Sequence, residues 1–258
     1  MAWLRRQPEQ SELVRWCFYD DPLSEAAERY YASTEWRAVR ALLPAAPGSV
    51  LDVGAGRGIA SYALARDGWR VSALEPDPSD LVGAGAIRAL AREAGLTIDV
   101  RQSRGESLPF PDESFTLLHG RQILHHAQDL GRFCREVARV LESGGTFLFT
   151  REHVISKQED LPVFLAAHPL HSRYGGERAY LLDEYLRALE NSGLVLTSVF
   201  NPYQSDINLY PETRSSLKRR VARKLRLPAA VVPEALIGLL GRRCDTPGRL
   251  YTFVGRKA

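Results

Sequence analysis

Apolar and polar positions alternate along the chain in a way that predicts strands separated by helices. Runs with apolar residues spaced three or four apart predict helices at about 24–43, 58–67, 79–94, 129–142 and 181–193. Short apolar runs between turn residues predict strands at 49–53, 70–76, 97–102, 114–120, 146–152, 194–200 and 250–256. Strands separated by helices pair in parallel through right-handed crossovers, so the pattern predicts an α/β fold.

Three segments interrupt this alternation. Residues 1–23 show no clean period, residues 153–180 look irregular, and residues 201–248 form a long insertion before the last strand. We therefore expect an N-terminal helical cap over 1–48. The remaining residues, 49–258, are expected to form a single domain that carries the insertions 153–180 and 201–248.

The most informative stretch is residues 49–59, SVLDVGAGRGI, which predicts a strand, a glycine turn and the start of a helix. Glycine has no Cβ, so a ligand can lie directly against the backbone. The first helical turn offers unpaired N–H groups, and open α/β sheets bind ligands at the carboxyl ends of their strands. The dinucleotide fingerprint requires glycine at the position of Ile59, so the spacing argues against NAD.

Composition narrows the class of protein only moderately. The chain has 258 residues, 45% hydrophobic and 25% charged, as is ordinary for a globular protein, and a net charge of +3 gives little reason to expect a nucleic-acid partner. Cys17, Cys134 and Cys244 are widely spaced and odd in number, which indicates free thiols in a reducing compartment. The N-terminus lacks an apolar signal core, and no stretch approaches about 18 consecutive apolar residues, so we expect a cytoplasmic protein.

The stretch VLDVGAGRG resembles the first motif of the class I S-adenosylmethionine (SAM) methyltransferases. The segments LPFPDESF and REVARVLESGGTF resemble the methyltransferases of ubiquinone and menaquinone biosynthesis, and the resemblance covers about 49–152 and 181–200. It implies a Rossmann-like fold with a seven-stranded, mostly parallel sheet in the order 3-2-1-4-5-7-6, helices on both faces and a final antiparallel hairpin. It also implies SAM as the cofactor and S-adenosylhomocysteine as the product.

The resemblance also implies a cofactor site. Glu75, 23 residues after Asp52, can accept hydrogen bonds from both ribose hydroxyls or can cap the loop 76–78. Asp52 can orient the glycine loop or bind the ammonium group of the cofactor. Arg104 stands where the family usually has an acid for the adenine, so Glu106 or nearby backbone N–H groups would take that role. The implied cofactor-binding residues are Asp52, Gly54, Ala55, Gly56, Gly58, Glu75, Pro76, Ser103, Arg104, Gly105, Glu106, Gly120 and Arg121.

Histidines supply the candidate catalytic groups. In methyl transfer the cofactor provides the electrophile, whereas the protein provides orientation and, for a hydroxyl acceptor, a base. His125 and His126 follow the fourth strand and His153 follows the fifth, so all three are expected at the carboxyl-end crevice. His153 is the preferred base, whereas His125 and His126 fit a packing pair at the start of a helix equally well.

A polar, glycine-bearing stretch at 168–180 lies where this family places its substrate lid. His168 and His171 could bind a metal together with Glu177. Hydrogen bonding to the substrate is preferred there, and no metal is assigned. The predicted substrate-binding residues are Tyr30, Tyr31, His168, His171, Arg173, Glu177 and Tyr180, although Tyr30 and Tyr31 fit simple packing on the sheet edge as well.

Residues 214–226 carry seven Lys or Arg and no acid, and Leu217, Val221 and Leu225 recur at a spacing of four. A second apolar segment follows. A basic amphipathic helix of this kind can lie on an anionic membrane, so we predict peripheral contact with the inner membrane face through 214–243. The alternative is a solvated helix that covers an apolar patch.

The predicted function is SAM-dependent O-methylation of a hydroxyl on a small molecule or a glycan. An RNA methyltransferase that binds phosphates through the basic stretch is an alternative. It is disfavoured because Gly120, Arg121 and Gln122 stand where such enzymes carry an amine-binding tetrad. A non-catalytic SAM-binding partner subunit is the third possibility, since an intact glycine loop with Glu75 indicates binding rather than turnover.

Overall fold

The computed structural model describes residues 1–171 and 175–258, and its described part contains one mixed sheet of eight strands. The sheet order is β3-β2-β1-β4-β5-β8-β7, and the two-residue strand β6 pairs with β5 outside this path. The strands are β1 Ser49–Val53, β2 Arg70–Leu74, β3 Ile98–Arg101, β4 Phe115–Arg121, β5 Leu141–Ile155, β6 Tyr180–Leu181, β7 Leu194–Phe200 and β8 Arg249–Lys257.

The pairing confirms the Rossmann-like α/β prediction. Strands β1 to β5 pair in parallel, and β8 runs antiparallel between β5 and β7. Without β6, which the sequence pattern did not indicate, the order is the expected 3-2-1-4-5-7-6. The carboxyl ends of β1, β2, β4 and β5 therefore meet at one edge of the sheet, where a ligand site is expected.

Helices cover both faces of the sheet. Neighbouring strand residues point to opposite faces, so Leu51 and Leu118 pack in one core cluster and Val50 and Leu117 in another. The helices are α1 Ser11–Trp16, α2 Leu23–Tyr31, α3 Thr34–Arg40, α4 Ile59–Arg66, α5 Ala84–Glu93, α6 Leu130–Val140, α7 Asp160–Ala167, α8 Leu182–Glu190, α9 Asp206–Leu209, α10 Arg214–Leu225 and α11 Glu234–Arg242.

Two sequence predictions about local structure were wrong. The single helix expected at 24–43 is divided into α2 and α3, because the hydroxyl of Ser33 accepts a hydrogen bond from the Trp36 N–H and starts a new helix. The segment 153–180 is not irregular throughout. Strand β5 continues to Ile155, and α7 follows it.

Strand β5 carries a bulge near its carboxyl end. Phe149 pairs with Phe253 and Glu152 with Tyr251, so two residues of β5 oppose a single residue of β8. Arg151, inside the bulge, has a left-handed φ of 62°. Because of the long strand, His153 lies within β5 rather than in a loop after it.

Candidate active site

The glycine turn after β1 forms an open backbone surface. The N–H groups of Gly54 and Ala55 donate to the Leu74 carbonyl at 2.8 and 3.0 Å, which ties the turn to the end of β2. Gly58 has a φ of 82° and starts α4. A Cβ on Gly54 would lie 2.3 Å from Ile123 Cδ1, whereas one on Gly56 would meet nothing within 4 Å, so Gly56 leaves room for a ligand.

Glu75 fills one of the two roles that the sequence left open and keeps the acceptor capacity for the other. Its Oε2 accepts a hydrogen bond from Gly56 N at 2.8 Å and its Oε1 accepts one from Asp77 N at 3.0 Å, so the carboxylate does cap its loop. A carboxylate has about four acceptor sites, so each oxygen keeps capacity for a further donor such as a ribose hydroxyl. Burial raises the pKa of Glu75, which is 9% exposed.

Asp52 has its partners inside the protein. Its carboxylate accepts from Ser61 Oγ at 2.5 Å and contacts His119 Nδ1 at 2.8 Å, and the residue is 1% exposed. Ser61 lies on α4 and His119 on β4, so Asp52 joins three elements beneath the glycine turn. These contacts fit the loop-orienting role, and the sequence analysis did not single out His119.

A cleft of about 1260 Å³ opens at the carboxyl ends of the strands. Ligand pockets commonly have about 300–1,000 Å³, so this cleft has room for a cofactor and an acceptor together. The implied cofactor-binding residues that line it are Asp52, Gly54, Ala55, Gly56, Glu75, Pro76, Ser103, Arg104, Gly105, Glu106 and Arg121. Gly58 and Gly120 lie behind this wall, and a Cβ on Gly120 would meet the Ile123 and Phe149 side chains.

Arg121 needs a correction, because its guanidinium is bound by another part of the protein. Its Nε and Nη2 donate to the two oxygens of Glu35 at 2.6 and 3.1 Å. Arg151 Nη1 lies 3.8 Å from the same carboxylate, which is fully buried. Burial alone would raise the pKa of Glu35, but the two arginines hold it below its usual value. Arg121 thus lines the cleft with its charge already paired.

Tyr30 and Tyr31 do not line the cleft, so the substrate role expected of them is corrected. Tyr30 is fully buried and packs against Phe18 and Trp36 at ring distances of 5.2 and 5.6 Å. The Tyr31 hydroxyl donates to Asp67 Oδ1 at 2.9 Å. Both residues hold α2 and α3 against the sheet, as the packing alternative stated.

Histidines from three elements surround Glu177 at one end of the cleft. His125 Nε2 lies 3.4 Å from a Glu177 carboxylate oxygen, and His126 Nε2 and His168 Nδ1 each lie 3.9 Å away. The His153 ring is 4.7 Å from the His125 ring. The candidate catalytic histidines and two candidate lid residues, distant in sequence, are thus neighbours in space.

The charges in this cluster differ from one histidine to the next. Burial disfavours a charged His125, but hydrogen bonds to Glu152 and Glu177 outweigh it and raise the pKa of His125 to about 9. Burial, helped by the charge of His125, lowers the pKa of His153 to about 3. The pKa of Glu177 is lowered to about 2, because its contacts with the histidines outweigh burial.

The other predicted site residues lie around this cluster or outside it. His168 and Glu177 line the cleft, whereas the Tyr180 hydroxyl donates to the Ala127 carbonyl at 2.6 Å. His171 is partly buried within the predicted lid stretch 168–180 and is not among the residues that line the cleft. Arg173 lies outside the described residues.

Sequence reasoning missed several residues that build the cleft. Cys17, Phe18 and Tyr19 line it from the N-terminal segment, where no periodic pattern drew attention to them. It also missed Glu152, which is fully buried and accepts hydrogen bonds from the N–H groups of Ile123 and His125. An acid within a predicted central strand was the available signal, because a buried carboxylate requires partners.

The fold and the cleft together define a Rossmann-like SAM-binding domain, since an open glycine turn and an acid with free acceptor capacity fit the cofactor. Residues 51–149 match a family model described as a methyltransferase domain. This segment is similar to the methyltransferase domains of that family, and the similarity fits SAM as the cofactor of the cleft.

Curated relatives agree with this family. A ubiquinone biosynthesis O-methyltransferase from Methylobacterium sp. (strain 4-46) is 30% identical over 157 residues, which cover 59% of this chain and 62% of the relative. The uncharacterized methyltransferase YcgJ from Bacillus subtilis (strain 168) is 36% identical over 107 residues, 38% of each chain. The match therefore spans less than two thirds of the length of these relatives.

Solved structures share the fold at lower identity. The crystal structure of YcgJ from Bacillus subtilis has a TM-score of 0.58 and 22% identity, covering 87% of this chain and 97% of that one. Geranyl diphosphate C-methyltransferase from Streptomyces coelicolor A3(2), in complex with Mg²⁺, geranyl diphosphate and S-adenosylhomocysteine, has a TM-score of 0.64 and 16% identity, covering 93% and 86%.

Proposed function

We propose that the protein methylates a hydroxyl group of a small molecule. The observation that carries this proposal is the convergence of His125, His126, His153 and Glu177 at one end of a cleft whose other end carries the glycine turn and Glu75. Bound SAM supplies an electrophilic methyl group on a positively charged sulfur. The chain must then hold an acceptor hydroxyl in line with that methyl and provide for its proton.

We place the base at His126. Its Nδ1 contacts the Gly176 carbonyl at 3.0 Å, and since a carbonyl only accepts, Nδ1 carries the hydrogen. The Nε2 lone pair is then free, and 38% of the side chain is exposed at the cleft. His153, the base preferred from the sequence, is a poorer proton acceptor because burial so strongly disfavours its charged form.

The acceptor class follows from the walls of the cleft. Apolar side chains, among them Leu13, Ile123 and Leu250, line it as well as the histidines. Such a surface favours an acceptor with an apolar or aromatic body and a hydroxyl at one end. A phenol is therefore the preferred acceptor. The ubiquinone O-methyltransferase name of the relatives supports this choice, and a glycan is the alternative.

The proposal is tested by a methyl-transfer screen with labelled SAM across phenols, sugars, lipid extracts and RNA. We expect transfer to phenols, and His126→Ala should lower turnover by about 10²–10⁴-fold, the usual worth of general base catalysis. His171→Ala, which alters a histidine that is not among the residues lining the cleft, is the matched control. Binding of SAM without transfer to any acceptor would favour the non-catalytic subunit, and transfer to RNA alone would favour the RNA enzyme.

A peripheral membrane contact is a second proposal, which rests on the surface of α10 and α11. Leu217 is buried, but Leu225, Leu227, Val231, Leu239 and Leu240 are exposed, with 49% of Leu225 open to solvent. Such an apolar surface next to basic side chains fits the headgroup region of an anionic bilayer. No helix within 1–171 and 175–258 has the length and apolar character needed to cross a membrane.

The basic side chains of α10 differ in whether they are already paired with an acid. Arg214 and Lys218 pair with Glu234, and Arg220 pairs with Glu212. Arg219, Arg223 and Lys224 are exposed and form no ion pair within the described part of the chain. These three side chains, together with the exposed Arg226 directly after α10, are therefore available to anionic headgroups, each worth about 1 kcal/mol near a charged surface.

A further inference from the structure

We propose that His125, His153 and Glu177 form a binding site for a divalent transition-metal ion. One donor atom from each residue lies within 4.8 Å of the other two. His125 comes from the turn after β4, His153 from β5 and Glu177 from the segment before β6. Two histidines and one carboxylate with open positions are a ligand set used for divalent iron, and the same donors suit zinc.

The two histidines are oriented as metal ligands usually are. His125 Nδ1 contacts Glu152 Oε2 at 2.7 Å, and His153 Nδ1 contacts the Gly248 carbonyl at 2.8 Å. Each contact places the hydrogen on Nδ1 and leaves Nε2 as the donor atom. Metal-binding histidines typically donate their other N–H to a carboxylate or a backbone carbonyl in this way.

The distances fit an ion after small movements. Two ligands about 2.0–2.1 Å from a tetrahedral ion lie about 3.3–3.4 Å apart. The distance from His125 Nε2 to Glu177 Oε2 is 3.4 Å. The three donor atoms already lie within 4.8 Å of one another, so His153 needs only a small movement toward the other two. Glu177 lies in residues 175–179, which form no helix or strand.

The surroundings favour a positive charge. Glu152 is fully buried behind His125, so two carboxylates flank that imidazole. His168 Nδ1 is buried, has no hydrogen-bond partner among the described residues, and lies 3.9 Å from Glu177 Oε1. An ion at the centre would replace the proton of His125 as the positive charge beside these acids, and His168 would stand beside it as an additional donor.

The remaining coordination position would face the cleft, which His125 and His153 both line. An acceptor hydroxyl could occupy that position, so the ion would orient the acceptor beside His126. This consequence rests on the O-methylation proposed above, whereas ion binding itself does not. The residue set also differs from the sequence-based alternative, since it includes neither His168 nor His171 as a required ligand.

Ion binding can be measured without turnover. The full-length protein, stripped with a chelator, is titrated with Zn²⁺, Co²⁺ and Mg²⁺ by calorimetry, and Co²⁺ binding is followed by visible absorption. We expect about one Zn²⁺ or Co²⁺ per chain and much weaker Mg²⁺ binding, because imidazole suits the transition ions. His153→Ala and Glu177→Gln should each weaken Co²⁺ binding at least tenfold and change its spectrum. Loss of a residue that only hydrogen-bonds to a metal ligand already lowers metal affinity about 10–100-fold, and loss of a ligand should cost at least as much.

The matched control is His171→Ala, which should leave Co²⁺ affinity and spectrum unchanged. SAM affinity of each variant reports whether the domain remains folded. The proposal is overturned if the native protein takes up no transition ion, in which case His125 is a protonated partner of Glu177. It is also overturned if His171→Ala abolishes binding while His153→Ala does not. Failure of the acceptor screen together with intact ion binding would contradict only the O-methylation.

Discussion

At the scale of single residues, Glu75 is the candidate cofactor-binding side chain whose orientation the structure defines most sharply. Its two oxygens each hold one backbone N–H, and burial keeps water from competing. The two hydroxyls of a ribose could donate to the acceptor sites that remain on this carboxylate, which the two backbone N–H groups already orient. Side chains fixed in this way lose little rotamer freedom on binding, which strengthens each hydrogen bond.

Replacement of Glu75 should therefore weaken cofactor binding. Glu75→Ala is expected to cost about 1.5–3 kcal/mol in SAM affinity, the range for hydrogen bonds to a charged group. Calorimetric titration with SAM measures the loss. The control is Glu93→Ala, on the exposed side of α5, which should leave the affinity unchanged. An unaltered affinity in Glu75→Ala would remove Glu75 from the cofactor site.

The raised pKa of Glu75 gives a second prediction, for pH. In its expected role the ionised carboxylate would accept hydrogen bonds from the ribose, so SAM affinity should fall on acidification as Glu75 becomes protonated. Because burial raises its pKa, this fall begins at a higher pH than an ordinary glutamate would give. Glu75→Gln should bind more weakly and lose this pH dependence. The same acid-induced fall in Glu75→Gln would assign the titration to another group.

At the scale of elements, the Glu35 carboxylate joins the N-terminal helices to the sheet. Glu35 lies on α3, Arg121 ends β4 and Arg151 lies in the bulge of β5. Arg151 Nη1 also donates to the Ile207 carbonyl at 2.6 Å, which brings α9 into the same network. The N-terminal cap is thus attached by buried charge as well as by apolar packing.

Loss of that carboxylate should be costly. Glu35→Ala leaves Arg121 and Arg151 buried without their acid, and the expected loss is about 3–5 kcal/mol in the free energy of unfolding. Urea denaturation followed by circular dichroism gives the value. Glu93→Ala, at an exposed helix position, should stay within about 0.5 kcal/mol of the native protein. A loss below about 1 kcal/mol for Glu35→Ala would show that water enters and solvates the two arginines.

At the scale of the whole molecule, the proposed membrane surface is tested by co-sedimentation with vesicles. Native protein should bind anionic vesicles at low salt and dissociate at high salt, because charge contributes most of the attraction. A triple variant with Arg219, Arg223 and Lys224 changed to Gln should bind less.

The control changes Arg70, Arg92 and Arg135, exposed residues elsewhere on the protein, to Gln and alters the net charge equally. If both triple variants bind alike, the attraction comes from net charge rather than from α10. If the native protein binds no vesicles at low salt, α10 is an ordinary solvated helix.

The sequence was informative about the fold because the strands and the glycine turn are local patterns. Strand β7 was predicted at the residues where it lies, and the parallel order followed from the alternation with helices. The division between α2 and α3 depends on a single hydroxyl, that of Ser33, within an unbroken helical pattern. The spacing of apolar residues does not reveal an N-cap that lies inside a continuous helical pattern.

The site was less predictable because its key contacts join residues far apart in the chain. The histidines were identified by type and by position after strands, yet their order of basicity depends on Glu152 and on burial. Tyr30 and Arg121 were assigned to ligands by their place in the chain, but both are engaged inside the protein, with Phe18 and Glu35 respectively. Pairings of this kind become visible only when the chain is folded.

The extra residue in β5 has a consequence for reading related sequences. Phe147 and Phe149 pack in the same core cluster as Val154, whereas Leu148 packs on the opposite face, so odd and even positions exchange faces within the strand. A relative with one residue fewer at this point would keep simple alternation and direct the counterpart of Glu152 to the other side. Alignments with related sequences should therefore allow a gap here. The counterparts of Glu152 and His153 should be identified by the face of the sheet to which they point, not by the number of residues that separate them from the start of the strand.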